Sequence, residues 1–81
     1  MIIERIKDVL AQVLDIDFKQ RGENIDIFNC EEWDSMNHMR LILELERVFS
    51  ATFTDDEVLD MTSFEDICRI IKSHFNLLLT L

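Results

Sequence analysis

Eighty-one residues leave room for one hydrophobic core and exclude a deep substrate pocket set in a scaffold of its own. Apolar residues make up 48% of the chain and charged ones 31%, with a single Gly and no Pro, a composition that folds and favours helix, so the expected class is all-α. Seventeen acidic against eight basic residues give a formal charge of -9, which repels nucleic-acid backbones and anionic lipid surfaces and suits proteins that present Lys and Arg.

Cys30 and Cys68 are too sparse for a disulfide scaffold and have no C-x-x-C or Cys/His company, so both are expected to be free thiols. The N-terminal Met1-Ile2-Ile3-Glu4-Arg5 lacks a basic region followed by a long apolar run, and Leu77-Leu78-Leu79-Thr80-Leu81 is too short to span a bilayer. One domain over 1-81, monomeric and cytoplasmic, is the expectation.

In chain order, Ile2, Ile3, Ile6, Val9, Leu10, Val13 and Leu14 form a helical stripe, with Glu4, Arg5, Lys7, Asp8 and Gln12 on the other face. This predicts a first helix over 2-14, and the mixed polar face argues against a membrane-surface helix. Residues 15 to 34 carry no sustained period, so the stretch needs anchors, and Ile16, Phe18, Ile25, Ile27 and Phe28 can supply them by packing on the bundle. The acids here invite a calcium-loop reading that fails on its ligands. Counted from Asp15, Lys19 and Gln20 occupy the fifth and sixth positions and Asp26 closes the loop; counted from Asp17, Lys19, Arg21 and Phe28 spoil ligand positions.

Met36, Met39, Ile42, Leu45 and Phe49, widened by Leu41 and Val48, then recur at helical spacing and predict a second helix over 35-49. After a connector with Phe53 expected inside, Thr54-Asp55-Asp56-Glu57 has the capping-box spacing and opens a short helix to about residue 60, with Val58, Leu59 and Met61 facing inward. Thr62-Ser63-Phe64-Glu65 repeats the box and opens a last helix over 63-75, with Phe64, Ile67, Cys68, Ile70, Ile71 and Phe75 as its core stripe. Asn76 to Leu81 stay apolar, and either extend that helix over the core or cover a patch on a neighbour.

The chemistry is expected at the step into the second helix. Asp34 is an adequate N-cap, which puts Ser35 at the first helical position with its hydroxyl free beside the partly positive helix end, a place that suits a phosphate ester. The run Glu32-Trp33-Asp34-Ser35-Met36-Asn37-His38-Met39-Arg40-Leu41-Ile42, continuing through Leu45-Glu46-Arg47-Val48-Phe49, resembles the prosthetic-group attachment segment of acyl carrier proteins. In that family an Asp-Ser-Leu step opens the second helix and the Ser carries a 4'-phosphopantetheine arm taken from coenzyme A. Met36 stands here in place of the Leu, a volume-conserving change that keeps an apolar anchor after the Ser. The resemblance extends to the short third helix and the Thr/Ser opening of the fourth.

It implies a four-helix bundle with a long first loop and a short third helix, the loop running the length of the bundle to deliver Ser35 at one end. It also implies a carrier that catalyses nothing. A phosphopantetheinyl transferase would attach the arm to Ser35, and the arm's thiol would hold an acyl group as a thioester for acyl-loading and acyl-processing enzymes. Fatty acyl, polyketide and aminoacyl cargo all remain open. The second helix and the short third helix would form the docking face, for which the candidates are Asp34, Met36, Arg40, Glu44, Glu46, Asp55, Asp56 and Met61. Arg40 and Arg47 interrupt the acids expected on that helix, and both can pair with Glu44.

Two other readings compete. A hydrolase using Ser35 and His38, three residues apart on one face, would need a third orienting group, an oxyanion hole and a cleft. His38 and His74 are instead expected as an exposed polar residue and a helix-end residue, with no metal-ligand company. An acidic interaction module without a prosthetic group would use an exposed Trp33 and Met36 as a hydrophobic hot spot for a partner helix.

Overall fold

The computed structural model describes residues 2–80 and consists of five helices: α1 (Ile2–Leu14), α2 (Phe18–Arg21), α3 (Ser35–Phe49), α4 (Asp55–Asp60) and α5 (Phe64–Thr80). The boundaries of α1, α3 and α4 are those expected from periodicity and capping, because each begins or ends at a local chemical signal. Asp34 accepts a hydrogen bond from the Asn37 amide at 2.8 Å and caps α3. Ser50 closes the same helix in the left-handed conformation, its N–H donating to the Glu46 carbonyl. Thr54 and Glu57 form the reciprocal capping box of α4, with Glu57 N to Thr54 Oγ1 at 3.1 Å and Thr54 N to Glu57 Oε1 at 2.9 Å.

Three differences from the sequence expectation have local causes. The long first loop contains α2, a single turn capped by the Asp17 carboxylate and ended at Gly22, whose φ of 79° suits a residue without Cβ. Four residues are too few to show a helical period, so only the Asp and Gly that bracket them carry a signal. The opening of α5 is capped by Ser63, which accepts from the Asp66 amide at 3.0 Å, one residue later than a Thr62-Glu65 box would place it. Finally, α5 runs to Thr80 rather than stopping near residue 75, because nothing in Asn76 to Thr80 breaks a helix. The side chains of residues 76–80, and Leu81 altogether, lie outside the described residues, and so does the question of what that apolar end covers.

One core joins the elements. Ile6, Val9, Leu10 and Leu14 from α1 meet Leu41, Ile42, Leu45 and Phe49 from α3 and Phe64, Ile67, Cys68, Ile70 and Ile71 from α5. Helix α1 packs on both α3 and α5. Phe53 is buried as expected, and Phe75 is half-buried with its ring edge-on to Phe49. Both thiols are free and buried, and burial pushes the Cys68 thiol upward.

The segment between α2 and α3 holds its place by backbone pairing as well as packing. Ile27 N donates to Thr62 O and Phe64 N to Ile25 O, each at 3.0 Å, an isolated antiparallel bridge that ties it to the start of α5. Ile25 is buried and Ile16, Phe18 and Ile27 pack against the core, but Phe28 is 90% exposed. The reason is the turn that holds it: Asp26 Oδ1 accepts from the amides of Phe28 and Asn29 at 2.7 and 2.9 Å, which lifts Phe28 to the tip. Asp17 and Asp26, whose spacing resembles a calcium loop, serve here as caps, Asp17 on α2 and Asp26 on this turn.

Helix α4 is tied to α5 by His74, whose Nε2 lies 2.8 Å from Glu57 Oε2. The Thr54 amide and then His74 hold the Glu57 carboxyl below the usual glutamate range. A depressed carboxyl contributes stability that is present above its unfolded pKa and is lost as pH falls through the folded one. The melting temperature should therefore drop on acidification below the ordinary glutamate value of about 4.3. In Glu57→Gln, which keeps a capping side chain but cannot ionise, that drop should be smaller, and thermal melts of both proteins over this range check it.

Candidate functional site

Ser35 is exposed at the first residue of α3. Directly before it, Trp33 is 3% exposed and Asp34 turns its carboxylate onto the Asn37 amide. The first intrahelical bond in α3 runs from His38 N to Asp34 O at 2.8 Å, so the amides of Ser35 and Met36 point out of the helix start. The Asn37 side chain fastens the approach by donating from Nδ2 to Glu32 O at 2.8 Å. Arg21 holds the Glu32 carboxylate, keeping it below the usual range, and reaches back from α2 to do so. The hydroxyl of Ser35 is thereby presented outward on a rigid base, at the end of a helix whose dipole favours an anionic ester.

Beside it lies an open groove of about 550 Å³ between the start of α3, α4 and the Phe28 turn. Ile27, Trp33, Met39, Val58 and Leu59 give it apolar walls, and Asp34, Ser35, His38 and Thr62 supply its polar groups. Phe28 and Leu59, the latter 74% exposed, stand at this groove although the periodicity of α4 turned Leu59 inward. A one-and-a-half-turn helix cannot bury every apolar side chain, and α4 spends Met61, just past its end, on the core. A phosphate ester on Ser35 and an apolar chain beside it both find suitable surroundings here, so the residues fit a phosphopantetheine arm.

Several expectations about individual residues need correction. Met36 is 72% exposed and anchors nothing in the core, which α3 reaches through Leu41, Ile42, Leu45 and Phe49. Met39 is exposed as well, on the groove side. Met61 is fully buried and offers no surface to a partner. Trp33 is also inside, which removes half of the hot spot required by the interaction-module reading.

His38 is not a plain exposed residue. Trp33 Nε1 donates to His38 Nδ1 at 3.1 Å, and His38 Nε2 lies 3.0 Å from the Val58 carbonyl oxygen. With both ring nitrogens engaged, it cannot serve as base to Ser35, so the hydrolase reading loses its second member. The signal for this role was the three-residue spacing from Ser35, which places His38 on the groove face of α3. What sequence could not supply was the carbonyl partner twenty residues on.

On the outer face of α3, Arg47 pairs with Glu44 through Nε and Nη2, both at 2.7 Å, and holds that carboxyl below its usual range. Arg40 does not join them; its Nη1 reaches Asn37 Oδ1 at 3.4 Å. Glu46 accepts from the Phe53 amide at 2.9 Å and so helps hold the connector after α3. Asp55 and Asp56 are exposed in the first turn of α4. Among the described residues there is no group of three or more His, Cys, Asp or Glu that could hold a metal, and no helix long and apolar enough to cross a membrane.

The model of the phosphopantetheine attachment site family matches residues 4–71. The chain is 34% identical over 73 residues to an acyl carrier protein of Lactobacillus acidophilus, covering 90% of this chain and 91% of that protein. To an acyl carrier protein of Clostridium acetobutylicum it is 32% identical over 77 residues, covering 91% and 96%. With an acyl carrier protein of Lactobacillus johnsonii it shares 27% identity over 75 residues, covering 93% and 94%.

Proposed function

The chain belongs to the acyl carrier protein family, a carrier and not a catalyst, and on that premise we propose that Ser35 is the residue that bears its 4'-phosphopantetheine. The observation that carries this is the exposed hydroxyl at the first residue of α3, set outward because Asp34 already caps the helix. When bound, the arm supplies a thiol that holds an acyl group as a thioester. The protein's own residues present the ester linkage at a helix N-terminus and line an apolar groove beside it. Carrying the group on a tether raises its effective concentration at each enzyme visited.

The single core to which all five helices contribute supports one carrier unit, which we infer to span 1-81 and to act as a monomer. Intact mass tests the assignment: incubation with coenzyme A, magnesium and a competent transferase should add one phosphopantetheine, and incubation without the transferase should add nothing. A wild type that gains no mass with any competent transferase would restore the interaction module.

The docking face we infer runs along Met36, Arg40 and Glu44 of α3 to Asp55 and Asp56 of α4, flanked by Asp34. Its local field is more neutral than the formal charge of -9, because Arg47 pairs with Glu44 and Arg40 adds a cation. Partners matched to a strongly acidic helix would gain little steering from it. A dedicated set of partner enzymes is therefore expected, with general fatty-acid synthesis enzymes turning over the loaded protein more slowly than a general fatty-acid carrier. Equal kinetics across several such enzymes would contradict this.

A further inference from the structure

The groove beside Ser35 is crossed by one polar link whose geometry fixes a protonation state. The Trp33 indole N–H can only donate, and the Val58 carbonyl can only accept. His38 lies between them, 3.1 Å from the first and 3.0 Å from the second. Both bonds form together only if Nδ1 is bare and Nε2 carries the proton, which is the neutral imidazole in one tautomer. The two ring planes are 28° from parallel with centroids 6.2 Å apart, which is compatible with the Nε1 to Nδ1 bond.

We propose that His38 is a positioning residue, a pin that joins α4 to the Trp33-Ser35 segment through its neutral Nε2–H tautomer and so sets the mouth of the groove that receives what Ser35 carries. The pin itself is independent of the arm; its use rests on the attachment at Ser35. Across the gap α4 is short and little buried, with Val58 half-buried and Leu59 outside, so few other contacts hold it to α3. Protonation of the ring would put an N–H on Nδ1 facing the indole N–H. The Trp33 bond would then be lost, while the Val58 bond would remain.

Few other charges bear on the ring. The loop brings Ile27, Phe28, Trp33 and Asp34 to the groove, α4 brings Val58 and Leu59, and Thr62 follows α4. Asp34 is the only other titratable group in that lining, and its carboxylate is engaged on the Asn37 amide. Glu57 on α4 is committed to Thr54 and His74.

Nitrogen-15 NMR of the unmodified protein tests the pin without reference to Ser35, using the one Trp as reporter. The imidazole nitrogens should show the neutral Nε2–H tautomer, and the indole N–H signal should lie at a hydrogen-bonded position. In His38→Gln the side-chain oxygen can accept from Trp33 and the amide can donate to Val58, so the indole signal should stay at the bonded position. His38→Leu should show the unbonded indole position. An Nδ1–H tautomer, or an indole signal at the unbonded position in the wild type, overturns the proposal even if the leucine variant fails to fold.

The second arm uses protein loaded with an octanoyl thioester. Cleavage of that thioester by hydroxylamine should be severalfold faster in His38→Leu than in wild type, with the rate restored in His38→Gln. Equal rates in all three proteins, with the tautomer as stated, would leave His38 a structural link and overturn its positioning role.

Discussion

Ser35→Ala should abolish the phosphopantetheine mass gain completely and leave the helical spectrum and melting temperature nearly unchanged. The hydroxyl is exposed and makes no capping bond, since the cap of α3 is the Asp34 carboxylate on Asn37 N, so its removal costs the fold little. Asp34→Ala should behave oppositely. Losing the cap should cost about 0.5–2 kcal/mol while a loadable hydroxyl remains. Intact mass and thermal melts of the two variants side by side separate attachment from capping. A Ser35→Ala protein that still gains the mass would move the attachment to another residue.

Trp33→Ala should be the most damaging single change to stability near the site. The side chain is 3% exposed, and truncating a buried Trp costs about 3–5 kcal/mol in lost packing and residual cavity. It would also leave His38 Nδ1 without its donor and loosen the link across the groove. A domain of 81 residues has a total stability on the order of 4–12 kcal/mol, so a large part of it would be lost. Urea unfolding followed by far-ultraviolet circular dichroism measures this with the indole gone. A loss under about 1 kcal/mol would mean that Trp33 is a surface residue, as the interaction module requires.

The sequence disclosed the long helices and their starts because those are local properties. The stripe from Ile6 to Leu14 and the steps at Asp34 and Thr54 are written within a few residues of where they act. The cap at Asp34 was legible for the same reason, whereas Ser35 was singled out as the proposed attachment residue by the resemblance of the run around it to the carrier-protein attachment segment. What could not be read was pairing at a distance. The bridge of Ile25 and Ile27 to Thr62 and Phe64, and the bonds from His38 to Trp33 and Val58, depend on how separated segments meet.

The stripe of α3 misled at its first turn. Met36 and Met39 have the helical phase of core residues yet are 72% and 53% exposed, because phase alone does not say which turns of a helix meet a neighbour. Phe28 and Leu59 were assigned inward on hydrophobicity, although a turn tip and a short helix have no interior to offer them. Those exposed side chains gather around Ser35, so the places where hydrophobicity failed to predict burial line the groove beside the proposed attachment residue.

Fragmentation mass spectrometry of the loaded wild type tests the central claim most directly, because the chain holds other serines in Ser50, Ser63 and Ser73. After incubation with coenzyme A, magnesium and a transferase, the peptide containing Trp33-Asp34-Ser35-Met36 should carry the phosphopantetheine and show its characteristic loss on fragmentation, with the other serine peptides unmodified. The modification on any other peptide, or on none, would contradict the assignment of Ser35.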